Sequence, residues 1–206
     1  NLHLEHLEDE VLNGGINGTR SAINFLQSLR DMLAGSSKSR VDVSVKWDGA
    51  PAIFVGINPE NGKFFVGSKS VFAKNAKLNY SVGDISTNHA GGLADKLKVA
   101  FEVLSPLRWN GIFQGDMMFT NNDLKKETIE DRPYVTFQPN TILYAVPYKS
   151  ADSILSAKMG VVWHTSYSGK TMEDMTAKFG VKLSQIPKTK EAWMQDATYR
   201  DVSGTA

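Results

Sequence analysis

Lys46 and Asp48 stand two residues apart in the stretch VDVSVKWDGAPAIFVG, Val41 to Gly56. On a strand, residues two apart share a face. Ser44, Lys46 and Asp48 then point one way, and Val43, Val45 and Trp47 point the other. One face suits a core, while the other puts an amine beside a carboxylate. Two readings follow. In the first, Lys46 is a covalent nucleophile with Asp48 as its neighbour. In the second, the stretch is a half-buried strand with a wet outer face, and Asp48-Gly49 is the turn that ends it.

The rest of the chain narrows the chemistry. It has no cysteine, which excludes a disulfide scaffold, a thiolate zinc site and a cysteine nucleophile. His3 and His6 lie one helical turn apart without a third metal ligand in view. His89, within Asn88-His89-Ala90-Gly91-Gly92, reads as a turn residue or a phosphate neighbour. There is no Gly-x-Ser-x-Gly elbow, and neither the Walker loop nor Gly-x-Gly-x-x-Gly is present. Lys plus Arg number 23 and Asp plus Glu 22, a formal net charge of +1. That excludes a whole-molecule field for gripping nucleic acid and leaves a local basic cleft open.

The elements that must position these residues follow from periodicity. Leu2 to Leu12 predicts a short amphipathic helix ended by Asn13-Gly14-Gly15. A second helix is predicted to about Leu33, capped by Asn17 or Thr19. After a polar loop over Gly35 to Ser39 the period becomes that of a strand, Val41 to Asp48. Further strands are predicted over Ala52 to Ile57 and Lys63 to Gly67, joined through the Asn61-Gly62 turn. Others are predicted over Gly111 to Thr120, Tyr134 to Gln138, Thr141 to Val146 and Met159 to Thr165. Helices are predicted over Leu93 to Leu107 and Lys188 to Tyr199, with an irregular polar stretch over Asn75 to Gly92. The fold class expected is α+β, mainly antiparallel sheet with flanking helices. With 206 residues the chain suits a single domain: a helical segment over 1–40, then the body over 41–206. No apolar run has membrane-spanning length and no signal peptide is visible. A cytoplasmic location is the expectation.

Lys46-Trp47-Asp48-Gly49 matches Lys-x-Asp-Gly, the nucleotide-attachment motif of the covalent nucleotidyltransferases. These are the ATP- or NAD-dependent polynucleotide ligases and the mRNA capping enzymes. Four further stretches resemble that family's motifs in order. They are Phe65-Val66-Gly67-Ser68-Lys69-Ser70, Gly111 to Met118 with Gly115-Asp116, Thr141 to Val146 with Tyr144, and Met159 to His164. The resemblance covers about Val41 to Thr165. It departs at Pro51, where the family has Arg, and at Met159, where it has a metal-proximal Glu. The final Lys-x-Lys strand has Lys182 as its best match, with Lys170 and Lys178 as others. The chain also resembles proteins encoded by T4-like marine phages, which would place it in the host cytoplasm.

The resemblance implies a ligase/capping-enzyme nucleotidyltransferase domain, ATP-grasp-like in architecture, with a lysyl-AMP intermediate. Lys46 would be the nucleophile and Asp48 would position it or contact the ribose. Ser44, Gly49, Lys69, Phe72, Asp116, Tyr144, His164 and Lys182 would line the nucleotide, with Phe72 or Tyr144 stacking on the base. Each of those rings also reads as core packing. A lysine amine is protonated at neutral pH, with an ordinary pKa of about 10.4. It must shed that proton before attack, helped by desolvation or a nearby cation. ATP is the donor expected, with GTP and NAD as alternatives. Mg²⁺ would be held through Asp116, which otherwise reads as a strand-end acid facing water. The partner implied is DNA or RNA, accepting AMP on a 5′-phosphate. The competing expectation is an inactive nucleotide- or nucleic-acid-binding phage accessory protein of the same fold. About forty residues follow Thr165, too few for an OB barrel. The acceptor is therefore expected to be gripped by the amino-terminal helices, by a partner, or by a domain beyond a truncated chain.

Overall fold

The computed structural model describes residues 7–34 and 45–198. His3, His6, the Gly35 to Ser39 loop and the Val41 to Ser44 part of the expected strand lie outside the described residues, and Ser44 with them. The described residues form two compact units, a helical one before Val45 and a sheet unit over Val45–Thr198.

The helical unit is α1, Leu7–Leu33, with a kink at Gly15 (φ 53°, ψ −135°). That conformation strains any residue with a Cβ, so the expected break at Asn13-Gly14-Gly15 divides two helical arms. Thr19 does not cap the second arm; its hydroxyl donates back to the Gly15 carbonyl at 2.8 Å. Gly18 lies against the backbone carbonyl of Glu10, so the arms approach closely where no side chain intervenes.

The sheet unit runs β1 (Ala52–Ile57), β2 (Phe64–Gly67), α2 (Val82–Asn88), α3 (Gly91–Leu104), β3 (Ile112–Thr120), β4 (Lys125–Ile129), β5 (Arg132–Phe137), β6 (Tyr144–Pro147), α4 (Asp152–Leu155), β7 (Met159–Ser168), β8 (Thr176–Phe179) and β9 (Ala192–Asp196). The six-stranded sheet has the order β2-β1-β3-β7-β8, with β9 also paired to β7, and β4-β5-β6 form a second sheet. Every ladder is antiparallel except β7–β9. The fold is α+β, as its sequence predicts.

Alternation on the long strands builds two faces. Ile53, Val55, Phe113, Met117, Val161 and Trp163 pack with Leu97, Ala100 and Leu104 of α3. On the opposite face two apolar clusters form. Phe54, Phe65, Val71, Ile112 and Tyr167 make one. Met118, Val162, Val135 and Phe137 make the other, against the small sheet. Along β3 this face reads Ile112, Gln114, Asp116, Met118. The two polar residues thus lie between the two apolar clusters.

Four sequence expectations are corrected. Residues 45–49 are not in a strand. Val45 and Lys46 are both exposed there, so the alternation that predicted one does not govern burial. Lys188 to Tyr199 carries β9 rather than a helix. The ten residues of β7 exceed the reach of β8, which pairs only Thr165 to Ser168, and Ala192–Asp196 completes the same edge at Met159 to Trp163. Tertiary pairing thereby overrides local helix propensity. The strand expected from Thr141 begins at Tyr144, because the amides before it bond elsewhere. The stretch expected to be irregular contains α2, whose N-cap Ser81 accepts from Asp84 N. The edge strand β4 is exposed at every position, so burial gives it no alternation to read.

Candidate functional site

Lys46 sits on a short irregular segment pinned at both ends. Val45 N–H donates to the Ala197 carbonyl (2.8 Å), and Asp48 N–H donates to the Tyr144 hydroxyl (2.8 Å). Between them the Trp47 ring stacks on Tyr144, centroids 5.5 Å apart, and meets Trp193 edge-on. The Lys46 side chain is exposed. Asp48 is an anchor: its Oδ1 accepts from Asn140 Nδ2 (2.8 Å), and its Oδ2 accepts from the backbone N–H of Thr141 (2.7 Å) and Ile142 (2.8 Å). A carboxylate offers roughly four acceptor positions, and three are used. The segment is thereby tied to the loop that enters β6.

Gly49 has no room for a side chain. A methyl carbon there would lie 2.5 Å from Asp116 Cβ and 3.0 Å from both the Met117 carbonyl and Met118 Sδ. Ala50 N–H then donates to the Met117 carbonyl and Met117 N–H to the Pro51 carbonyl, so the motif leads straight into the β1–β3 ladder. Gly49→Ala is expected to lower stability by about 1–3 kcal/mol through overpacking. A urea midpoint that falls at unchanged slope is the check.

Asp116 faces His164 across β3 and β7, Oδ2 to Nε2 at 3.5 Å. The register shift beside Gln114 and Gly115 leaves His164 without a cross-strand partner, a bulge that re-aims its side chain. His164 Nδ1 bonds Thr165 Oγ1 at 2.7 Å. Its carbonyl accepts from Gly180 N and Val181 N, which puts exposed Lys182 next along the chain. Next to Asp116 on the same face, Gln114 Oε1 accepts from the Tyr167 hydroxyl at 2.6 Å. Burial pushes that phenol up to about 12, so it remains a donor.

The structure therefore brings Gly49, Asp116 and His164 into one place, and joins Asp48 to Tyr144. The two rings expected on a base have protein neighbours instead. Tyr144 stacks on Trp47 and on Phe137, and Phe72 packs on Phe54 and Tyr167, both at 5.1 Å. Both fit their core-packing readings. Lys69 is exposed in the short 3-10 turn that carries Phe72. His89 ends α2 and its Nε2 meets Asn79 Nδ2 at 3.3 Å. Sequence reasoning missed Asn140, whose contact with Asp48 spans 92 positions, and Lys96, whose Nζ donates to the Ala50 carbonyl (3.3 Å). It also missed Phe179, half exposed opposite Thr165 on β8. None of these has a local signature.

The family model of DUF6267, described as a family of unknown function, matches residues 1–206. The chain belongs to that family. No curated protein and no solved structure matches it. Among the described residues of this DUF6267 chain, no helix is long and apolar enough to cross a membrane. No group of three His, Cys, Asp or Glu side chains among them is arranged to hold a metal ion.

The anchor on Asp48 has a pH signature in this DUF6267 member. The Asn140 hydrogen bond, then the Ile142 and Thr141 amides and the charge of Lys46, hold its carboxyl below the ordinary 3.8. A depressed acid stabilises the fold fully above its unfolded value, and the contribution is lost as pH falls through the folded one. Unfolding midpoints followed from about pH 5 to about pH 2 are expected to decline less steeply in Asp48→Asn than in the parent. Parallel declines would show that the anchor contributes nothing.

Proposed function

We propose that this chain is a nucleotidyltransferase that forms a lysyl-AMP at Lys46 and passes AMP to the 5′-phosphate of a nucleic acid. The observation that carries the reading is convergence. Gly49 of the Lys-x-Asp-Gly stretch packs onto Asp116, and Asp116 faces His164, on the sheet face between two apolar clusters. Three stretches that match the resembled motifs in order thus meet in space. The ligase-type nucleotidyltransferase fold belongs to the same proposal.

In this mechanism the neutral Lys46 amine attacks the α-phosphorus of ATP. An N–P bond forms, the bond to the β-phosphate oxygen breaks, pyrophosphate leaves, and the amine proton passes to solvent. An oxygen of the acceptor 5′-phosphate then attacks the same phosphorus. The N–P bond breaks, a phosphoanhydride forms, and the lysine regains a proton. Asp48 holds the segment in register through Asn140, Thr141 and Ile142. His164, Lys69 and Lys182 supply polar and cationic groups toward phosphates. Mg²⁺ commonly binds one or two protein carboxylates together with substrate phosphates and water. Asp116 fits as such a single ligand, and the bound ion would neutralise phosphate charge.

A second reading, a nucleotide- or nucleic-acid-binding accessory protein without turnover, is favoured by Met159. Its side chain is fully buried against the α3 side of the sheet, where the resembled family has a metal-proximal carboxylate. Incubation with α-labelled ATP, GTP or NAD and Mg²⁺, followed by denaturation, separates the two. Label that stays on the denatured chain supports transfer. Reversible binding with no retained label supports the accessory reading.

A further inference from the structure

The charges of this nearly neutral chain are unevenly spread. From Asn61 to Gly83 there are four lysines, Lys63, Lys69, Lys74 and Lys77, and no acid; Glu60 precedes the interval and Asp84 follows it. Neither flanking carboxylate is turned to these lysines. Glu60 Oε2 accepts from Met172 N (3.1 Å), and Asp84 Oδ2 accepts from Tyr80 N (2.9 Å). Lys63, Lys69, Lys74 and Lys77 are all exposed. Among the described residues none of the four makes an ion pair, in contrast to Lys158 with Glu191 and Lys96 with Asp123.

The backbone that displays Lys69, Lys74 and Lys77 is tied down. The Ser70 carbonyl accepts from Ala73 N (3.2 Å) and Lys77 N (3.1 Å), and Asn79 exchanges two backbone bonds with Val66 of β2. Buried Asn79 adds Nδ2 to the Val66 carbonyl (2.8 Å) and accepts from Asn88. Burial, reinforced by the charge of Lys77, pushes the neighbouring His89 imidazole down. The segment also adjoins the candidate site. Phe72 packs on Tyr167, whose hydroxyl bonds Gln114, two residues along β3 from Asp116 and on the same face.

We propose that the Lys69–Lys77 connection is a phosphate track for a polynucleotide strand, running along the sheet face toward Asp116 and His164. Cations without a carboxylate partner among the described residues, one of them (Lys77) held by its Nζ donating to the Asn88 carbonyl at 3.1 Å, recognise the repeated charge of a nucleic-acid backbone from a fixed segment free of acids over the whole interval. The rest of the chain carries a formal −3, with 19 Lys and Arg against 22 Asp and Glu, and its one comparable acid-free interval, Met175 to Lys190 with Lys178, Lys182, Lys188 and Lys190, supplies the control. The strand's destination rests on the function proposed above; its binding to the strip does not.

The test is fluorescence anisotropy of a labelled, 5′-phosphorylated single-stranded DNA of about 16 nucleotides across a salt series, using the full chain. Lys74→Ala with Lys77→Ala is expected to reduce the slope of log affinity against log salt by about 1.4, at roughly 0.7 per single-strand phosphate contact. At about 0.1 M salt that corresponds to roughly 25-fold weaker binding. Lys74→Arg with Lys77→Arg is expected to bind as the parent does. Lys74→Glu alone, at an exposed position, is the fallback if the double variant fails to fold. The proposal is overturned if the parent does not bind the strand, if the alanine pair leaves slope and affinity unchanged, or if Lys188→Ala with Lys190→Ala weakens binding equally. Covalent labelling of the same variants keeps the two claims apart. Lysine-dependent strand binding without label sinks the transferase and leaves the track, and label with unaltered strand binding does the reverse.

Discussion

Trp163→Ala is expected to cost about 3–5 kcal/mol of stability, the range for removing a buried large aromatic side chain. Trp163 is fully buried on β7. Its ring meets Trp109 at 5.5 Å and fills the space beside Gly115, where an added carbon would lie 2.8 Å from Trp163 Cε3. It is packed at the centre of the apolar layer that joins the six-stranded sheet to α3. The same residue carries a cost of its own, since its buried indole N–H has no hydrogen-bond partner among the described residues. Leaving such a donor unpaired costs about 1–3 kcal/mol. Trp163→Phe discards that donor together with part of the ring, so it is expected to lose far less than the alanine variant. Urea midpoints at unchanged slope measure both. Equal losses in the two variants would show that the ring volume Phe retains contributes nothing at this position. Trp163 adjoins His164 and pairs with Gly115, so the alanine variant is also expected to disturb the Asp116–His164 contact.

Much of this architecture was legible in local pattern. The stretches Ala52 to Ile57 and Met159 to Thr165 read as strands, and the sheet uses both. The Gly14-Gly15 pair marked the break in α1. What pattern could not show was who completes an edge. Ala192–Asp196 carries helix-compatible residues, and becomes β9 because the edge of β7 away from β3 would otherwise be open from Met159 to Trp163. The site divides in the same way. Gly49 and Asp116 stood out by residue type, and their contact explains why a side chain cannot replace the glycine. The part played by Asp48 was only half visible. Its three bonds go to Asn140, Thr141 and Ile142, a loop more than ninety positions away with no periodic signal. Tyr144 and Phe72 were ambiguous for a physical reason, because an aromatic ring beside a cleft and one inside a core are the same residue until its neighbours are known. Their ring partners are now assigned, Trp47 and Phe137 for one, Phe54 and Tyr167 for the other.

Lys46→Ala is expected to abolish nucleotide transfer while leaving the fold intact. The side chain is exposed, and among the described residues it makes no hydrogen bond or close ion pair, so its truncation opens no cavity. Chemistry and stability are therefore separable at this position, as they are not at Gly49 or Trp163. A nucleophile differs from a phosphate-binding cation in one further respect. Lys46→Arg keeps the charge and most of the length but presents a guanidinium that does not deprotonate in proteins. A binding role would survive that exchange in large part, whereas a covalent role would not survive it at all.

The most direct test is intact-protein mass after incubation with ATP, GTP or NAD and Mg²⁺, run on the parent, Lys46→Ala and Lys46→Arg. The predicted result is a gain of one nucleoside monophosphate on the parent and on neither variant, with all three chains showing the same unfolding midpoint. The parent folded and unmodified by every donor, or an adduct that persists in Lys46→Ala, would contradict Lys46 as the covalent nucleophile.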